Sequence, residues 1–368
     1  MSIIKIEAQD GVPPPDAVSH QKTKLHLELI RTEPLPVIDA SNLDAKDILG
    51  GFEAGSTVKL SIDGITRYHM ISTTMETVGW ERMRTEHWVS EDGFEWRRKN
   101  VLVHPHFDSE TGLWILTGSP FPFYDSMDNR WYVYFNYMAF NGVKAWHTPC
   151  LLRRAGAKAT GLAGINGEFE FPGEIVASPG IAYPTDCNSS YISSPFKAAD
   201  DQWYAFLGGD NPLNSESGKW WTSIVKATGP GGPFIYQPEY SPVPFMDPTG
   251  YVENALPMKF KGSKTGKDYW AIIFNYLKNE VTTGSNSEIG FSSSPDGLKW
   301  PAADTQLLDL SKGLPAEANP WWRCIRVPHQ LVDEGNGTYT CFFSAYHKVG
   351  NFEGIGRATF RVAEEVLP

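Results

Sequence analysis

The chain has little of what marks a membrane protein, a nucleic-acid binder or a disulfide-stapled secreted domain. No apolar run approaches the length needed to cross a bilayer. Basic residues are outnumbered, 32 Lys and Arg against 43 Asp and Glu, and the net charge of −11 sets the chain against polyanions. Only four cysteines occur in 368 residues (Cys150, Cys187, Cys324, Cys341), and they lack metal-site spacing, so neither a disulfide framework nor a zinc ligand set is expected. The opening Met1-Ser2-Ile3-Ile4-Lys5-Ile6-Glu7 has no secretory h-region or cleavage site, and with so few cysteines the expected location is the cytoplasm. No helical period runs far, which points to an all-β chain.

Turn residues and aromatic rings are what the sequence has in quantity: 34 Gly, 27 Pro, and Phe, Trp and Tyr at 13%. They are ordered. A turn cluster precedes an aromatic-rich strand five times: Asp63-Gly64 before Arg67-Tyr68-His69-Met70-Ile71, Asp128-Asn129 before Trp131-Tyr132-Val133-Tyr134-Phe135, Asp200-Asp201 before Trp203-Tyr204-Ala205-Phe206, Gly266-Lys267-Asp268 before Tyr269-Trp270-Ala271-Ile272, and Gly335-Asn336-Gly337 before Tyr339-Thr340-Cys341-Phe342. Tyr68, Tyr132, Tyr204, Trp270 and Tyr339 follow one another by 64, 72, 66 and 69 residues. A second repeat keeps the same period. Ser90-Glu91-Asp92-Gly93-Phe94-Glu95-Trp96 matches Ser294-Pro295-Asp296-Gly297-Leu298-Lys299-Trp300 at an offset of 204, three steps of 68. Asp-Gly is expected to form a tight hairpin turn in each copy, with the Trp packing between repeats. Repeats of this size built from short strands predict a five-bladed β-propeller.

Length alone would suggest two or three domains, but the period argues for one. Residues 1–22, with Pro13-Pro14-Pro15, are expected to form an extended arm, and 23–368 a single propeller domain. The last blade shows only three strands, near 323–331, 339–345 and 354–362. The alternating Leu25-His26-Leu27-Glu28-Leu29-Ile30 is expected to supply the fourth and close the ring.

In each blade the innermost strand should lie just before the aromatic strand, and the starting ends of these strands converge on one mouth of the central channel. The residues at those starts are Glu53, Thr117, Asp186, Glu253 and Arg323. Three acids at one structural phase are what glycosidic cleavage requires: one protonated carboxyl and one ionised carboxylate across the bond, with a third acid to tune the donor. Arg323 is expected at the channel floor, holding a carboxylate or a sugar hydroxyl. Each residue also has a plainer reading: Glu253 as a cap for backbone amides, Asp186 as a turn residue beside Pro184, Glu53 as an ion-pair partner with Asp47 as the true acid, and Arg323 as a blade-to-blade salt bridge.

These segments resemble the five-bladed propeller glycosidases, the clan of family-43 arabinanases and xylosidases with the fructan-cleaving family-32 enzymes as relatives. Tyr251-Val252-Glu253-Asn254-Ala255-Leu256-Pro257 resembles the family-43 general-acid segment, Phe52-Glu53-Ala54-Gly55-Ser56 lies where its base would be, and Tyr183-Pro184-Thr185-Asp186 lies where its pKa-tuning aspartate would be. The resemblance spans roughly residues 45–365 at the level of blades. It implies Glu253 as general acid, Glu53 as general base and Asp186 as the tuning residue. Family 43 uses aspartate as base, whereas position 53 is glutamate, and the Asn-Asp-Pro-Asn and Arg-Asp-Pro segments of family 32 are missing. A divergent member is therefore expected. No cofactor is required by this chemistry, and no metal ligand set is assigned; calcium enters as a structural ion in some of the enzymes resembled.

Around the mouth, Trp80, Trp114, Trp221, Tyr183, Tyr251, Trp321 and Trp322 are candidate sugar-stacking surfaces, with Trp321-Trp322 expected to turn one ring toward the channel. His104-Pro105-His106 is expected as a surface turn that could reach over the pocket. His329 is expected to face the channel by alternation from Arg323. The resulting expectation is hydrolysis of a terminal sugar from a short oligosaccharide, with inversion, by a protein whose partner is a small carbohydrate. Two rivals remain. A phosphorylase on the same ring would need cations for phosphate, with Arg82, His87 and Arg326 as additions to Arg323. A non-catalytic sugar binder would need no matched acid pair.

Overall fold

The computed structural model describes residues 3–5, 23–39, 42, 51–75, 83–140, 151–182, 189–210, 220–241, 243, 251–277, 286–348 and 351–366. They form five antiparallel sheets, the blades of one propeller. Their innermost strands are Gly51–Ile62, Leu113–Asp125, Ser189–Ile192 continued by Phe196–Lys197, Tyr251–Lys261, and Cys324–Pro328 continued by Val332–Asp333. Each pairs with the aromatic strand that follows it in sequence. Buried aromatic and aliphatic side chains join neighbours around the ring. Ile71, Val133 and Phe135 pack between blades one and two, and Tyr134, Ile192 and Ala205 between two and three. The largest cluster runs through blades three, four and five, and Phe52, Trp88, Phe342 and Ile355 join five back to one.

The two Asp-Gly repeats fold alike, though not as two-residue hairpins. Ser90 Oγ accepts from Gly93 N at 2.8 Å, while Asp92 Oδ1 accepts from the backbone N–H groups of Phe94 and Glu95 at 2.8 Å each. Ser294 and Asp296 make the same contacts to Gly297, Leu298 and Lys299. The short polar side chains thus replace ladder bonds and wrap a wider loop, with Gly93 and Gly297 at φ 77° and 81°. Both tryptophans pack between blades as expected: Trp96 lies 5.2 Å from Phe342 of blade five, and Trp300 lies 5.5 Å from Phe206 of blade three.

The closing strand is Thr23–Thr32, longer than the predicted 25–30, and runs antiparallel to Asn351–Val366 from Thr23 opposite Val366 to Thr32 opposite Ala358. Leu25 and Leu27 point into the core. Their backbone N–H groups reach blade four, at Ser293 Oγ (3.1 Å) and Gln306 Oε1 (2.8 Å). Glu364, on the partner strand, is buried and accepts from Lys264 N (2.6 Å), Thr265 N (3.0 Å) and the Tyr269 hydroxyl (2.6 Å). Two short strands are added to channel-facing edges, one toward each mouth. His106–Asp108 pairs with Leu113–Ile115 of blade two, and Ile3–Lys5 runs parallel to Lys259–Lys261 of blade four. A cavity of about 330 Å³ opens at the end where the inner strands finish, lined by residues of all five blades including Thr57, Phe123, Ser194, Met258 and Gln330.

Because Leu27 is 1% exposed at the seam, Leu27→Ala is expected to destabilise the protein by about 2–4 kcal/mol and lower its thermal midpoint. An unchanged midpoint would mean that this strand does not hold the ring shut.

Candidate active site

One local irregularity recurs in all five blades. Between inner and second strand, the inner strand carries one extra residue: around Glu53-Ala54 in blade one, Ser119-Pro120 in two, residue 190 in three, Asn254-Ala255 in four and Arg326 in five. These are β-bulges, which re-aim side chains that strict alternation would send elsewhere. The sequence supports them locally. Ser119 and Asn254 sit at φ 47° and 54°, the left-handed region. A Cβ at Gly55 would lie 2.6 Å from the Ile71 carbonyl oxygen, so only glycine lets the chain re-enter the ladder after Glu53.

The bulges are also tied to one another. Ser119 N donates to Thr73 Oγ1 at 3.0 Å, and Thr73 is the residue facing the blade-one bulge. Ala255 N donates to the Tyr191 hydroxyl of blade three at 3.0 Å. Tyr191 fits because Gly208 leaves room for its ring.

The third tie is chemical. Arg326 sends Nη2 to Glu53 Oε1 at 2.9 Å and Nη1 to Glu253 Oε2 at 2.6 Å, and all three residues are buried. One guanidinium bridges two carboxylates whose bonded oxygens are therefore no more than about 8 Å apart, within reach of both faces of one glycosidic bond. Burial lifts the Glu53 carboxyl to about 7; Arg326 opposes the rise and the charge of Glu253 adds to it. Glu53 Oε2 has no hydrogen-bond partner among the described residues. Below the acids, Thr57 Oγ1 lies 3.3 Å from His329 Nδ1, and burial pushes His329 down to about 3, leaving a neutral ring. Among the described residues no group of three or more His, Cys, Asp or Glu side chains is placed to hold a metal ion.

The structure thus brings together Glu53 and Glu253 as expected, with a different arginine. Arg323 is exposed and precedes the strand, where its backbone pairs with Tyr346 and Asn286. The bulge between Ile325 and Val327 turns Arg326 to the acids instead. Trp322 is core, 5.4 Å from Phe343 and bonded to Ser287 Oγ at the seam between blades four and five, and Trp321, half-buried, stacks on the same Phe343. Thr117 is buried against Thr85 at 2.9 Å. Trp114 is half-buried at the start of the blade-two strand. Asp186, Asp47, Tyr183, Trp80 and Arg82 lie outside the described residues, as do the side chains of Tyr251 and Trp221.

Asn275 went unnoticed in the sequence. It stands opposite Glu253 across the strands, is 1% exposed, and neither amide atom has a partner among the described residues. A signal existed: Phe274-Asn275-Tyr276 repeats Phe135-Asn136-Tyr137, two blade steps earlier, and Asn136 stands opposite Gly118 at the matching bulge.

No family model matches the chain, and no curated protein matches it in sequence. Its fold is shared with many solved structures. A protein of unknown function from Dyadobacter fermentans superimposes with a TM-score of 0.56 at 9% identity, over 91% of this chain and 99% of the other. An exo-β-1,3-galactanase from Phanerochaete chrysosporium, solved with β-1,3-galactotriose, gives 0.53 at 12% identity, over 94% and 67%. A family 117 glycoside hydrolase from the marine bacterium Zobellia galactanivorans gives 0.51 at 12%, over 92% and 90%. The chain has the five-bladed propeller fold of these glycoside hydrolases, at identities too low to carry residue roles.

Glu53 also shapes stability. Its folded-state value of about 7 lies above the ordinary 4.5, so the stabilisation from its proton is complete below pH 4.5 and is lost as the pH rises through about 7. Glu53→Gln mimics the protonated form. It is expected to be more stable than the parent at pH 8, by on the order of 1–3 kcal/mol, and equal to it at pH 4.5. Melting curves at the two pH values check this, and a less stable variant at pH 8 would contradict the burial argument.

Proposed function

We propose that the protein is a glycoside hydrolase that removes a terminal sugar from a short oligosaccharide by carboxylate acid–base catalysis, with inversion. The observation that carries this reading is the buried Glu53–Arg326–Glu253 bridge at the bulged mouth of a propeller shared with glycoside hydrolases. A sugar-binding propeller has no use for two buried carboxylates converging on one cation, which cost free energy to hold out of water. A phosphorylase needs unspent positive charge. Arg326 already faces two carboxylates, and His87 is buried against His69 at 3.0 Å and pushed down to about 3.

Glu53 keeps its proton up to about pH 7. In our reading Glu253 is the acid and Glu53 the base, so that proton must change places when substrate arrives. A glycosidic oxygen approaching Glu253 displaces the Arg326 Nη1 contact. Glu253 then faces the glycosidic oxygen in place of its cation. Arg326, left with Glu53 alone, favours the ionised form there, which activates water on the opposite face of the sugar. The guanidinium thereby favours the charged form of Glu53. Asp186, by its place in the chain, is the proposed third acid, and the partner is a small carbohydrate handled in the cytoplasm.

Glu253→Gln is expected to lower turnover of alkyl glycosides by about 10²–10⁴ while sparing dinitrophenyl glycosides, whose leaving groups need no proton. Glu53→Gln should depress both classes. Rates on a panel of aryl and alkyl glycosides, with and without phosphate, test this: a reversed pattern exchanges the two roles, and strict phosphate dependence replaces hydrolysis by phosphorolysis.

A further inference from the structure

The blade-two inner strand is longer than its function as a blade strand requires. It begins at Leu113, six residues before its bulge at Ser119, so its first part stands beyond the ring of bulges that holds the acids. One edge of this extension pairs with the aromatic strand, Trp114 opposite Phe140. The other edge, which faces the channel, pairs with His106–Asp108, Phe107 opposite Trp114. The added strand therefore leans over the mouth from one side. Its turn is braced from within: Gly112 N donates to the Asp108 carbonyl (2.8 Å), Glu110 N to Asp108 Oδ1 (2.9 Å) and Thr111 Oγ1 to Asp108 Oδ2 (2.7 Å). This is a prearranged hairpin.

It carries an unusual surface. Phe107 is 55% exposed, and its ring meets the half-buried Trp114 edge-on with centroids 5.8 Å apart. The fold gains little from a phenylalanine left in water at that point. Edge-on contact fixes the ring's orientation and leaves a face free, the geometry that suits the C–H face of a sugar. His106, exposed beside it, can meet hydroxyl groups. From Trp114 to Ser119 the strand rises about 16 Å, the span of a short oligosaccharide and more than one sugar.

We infer that Phe107 and Trp114 form a distal sugar-binding subsite, so that the substrate is an oligosaccharide reaching from the Glu53–Glu253 pair to this hairpin. The assignment rests on the hydrolase reading for the near end of the ligand only. An exposed ring edge-on to a half-buried one, on a strand added at the mouth, fits a linear glycan better than a protein partner, which would need a broad apolar patch.

The test uses the Glu253→Gln protein, titrated by calorimetry with β-1,3-galacto-, xylo- and arabino-oligosaccharides from di- to hexasaccharide. In at least one series affinity is expected to rise with length. Phe107→Ala in that background should lower affinity for the longest members about tenfold more than for the disaccharide, and Phe107→Trp should keep the rise. Affinity equal at all lengths, or a rise that Phe107→Ala leaves intact, overturns the subsite. Turnover of aryl glycosides by the unmodified protein is recorded in parallel. Length-dependent binding without turnover would remove the hydrolase reading and leave the subsite standing.

Discussion

Two buried carboxylates share one guanidinium, and much of this molecule exists to make that sharing tolerable. Each ion alone would cost several kcal/mol to hold out of water. Together with Arg326 they become a nearly balanced unit whose planar fork satisfies one oxygen on each side. The three residues come from blades one, four and five, so the unit cannot form until the ring has closed. Closure is the work of the strand at Thr23–Thr32, far from the channel mouth, which links the outer edge of the last blade to the chemistry at its inner edge. The residual imbalance falls on Glu53, whose second oxygen has no hydrogen-bond partner among the described residues and whose proton is held toward neutral pH.

The bulges explain how a regular architecture presents irregular chemistry. A pleated strand sends alternate side chains to opposite faces, toward one neighbouring blade or the other, and would leave few pointing at the axis. One extra residue breaks that alternation. It does so at the same height in all five blades, and the broken ladders are cross-tied through Thr73, Tyr191 and Arg326. Strain at Ser119 and Asn254 is thus concentrated where the chain has side chains to aim.

The propeller was legible in the sequence because its signals are local. An aromatic strand after a turn cluster reads the same in each blade, and Ser-x-Asp-Gly-x-x-Trp forms its loop from its own side chains. Glu53 and Glu253 were legible by phase within that repeat. Arg326 was not. Counting by twos from Arg323 assumes an unbroken strand, and a single inserted residue reverses which arginine faces the acids. No composition marks that insertion in blade five, whereas Gly55 and Asn254 mark it in blades one and four. Of the tandem Trp321-Trp322, Trp322 is taken up by the blade seam, where aromatic residues fill the gap, and Trp321 is left half-buried beside it. Asn275 lay in plain view as half of a Phe-Asn-Tyr repeat, but its meaning depends on the strand opposite, which sequence order does not reveal.

The seam of blade five joins Thr23–Thr32 to Asn351–Val366, two strands far apart along the chain. Until Asn351–Val366 has been made, Thr23–Thr32 lacks that partner, and its Leu25 and Leu27 must be kept from other apolar surfaces. Four blades can stack as they emerge. The Glu53–Arg326–Glu253 bridge needs the fifth blade pressed against the first, so a chain cut short before residue 351 would leave Thr23–Thr32 without the strand that holds that seam shut.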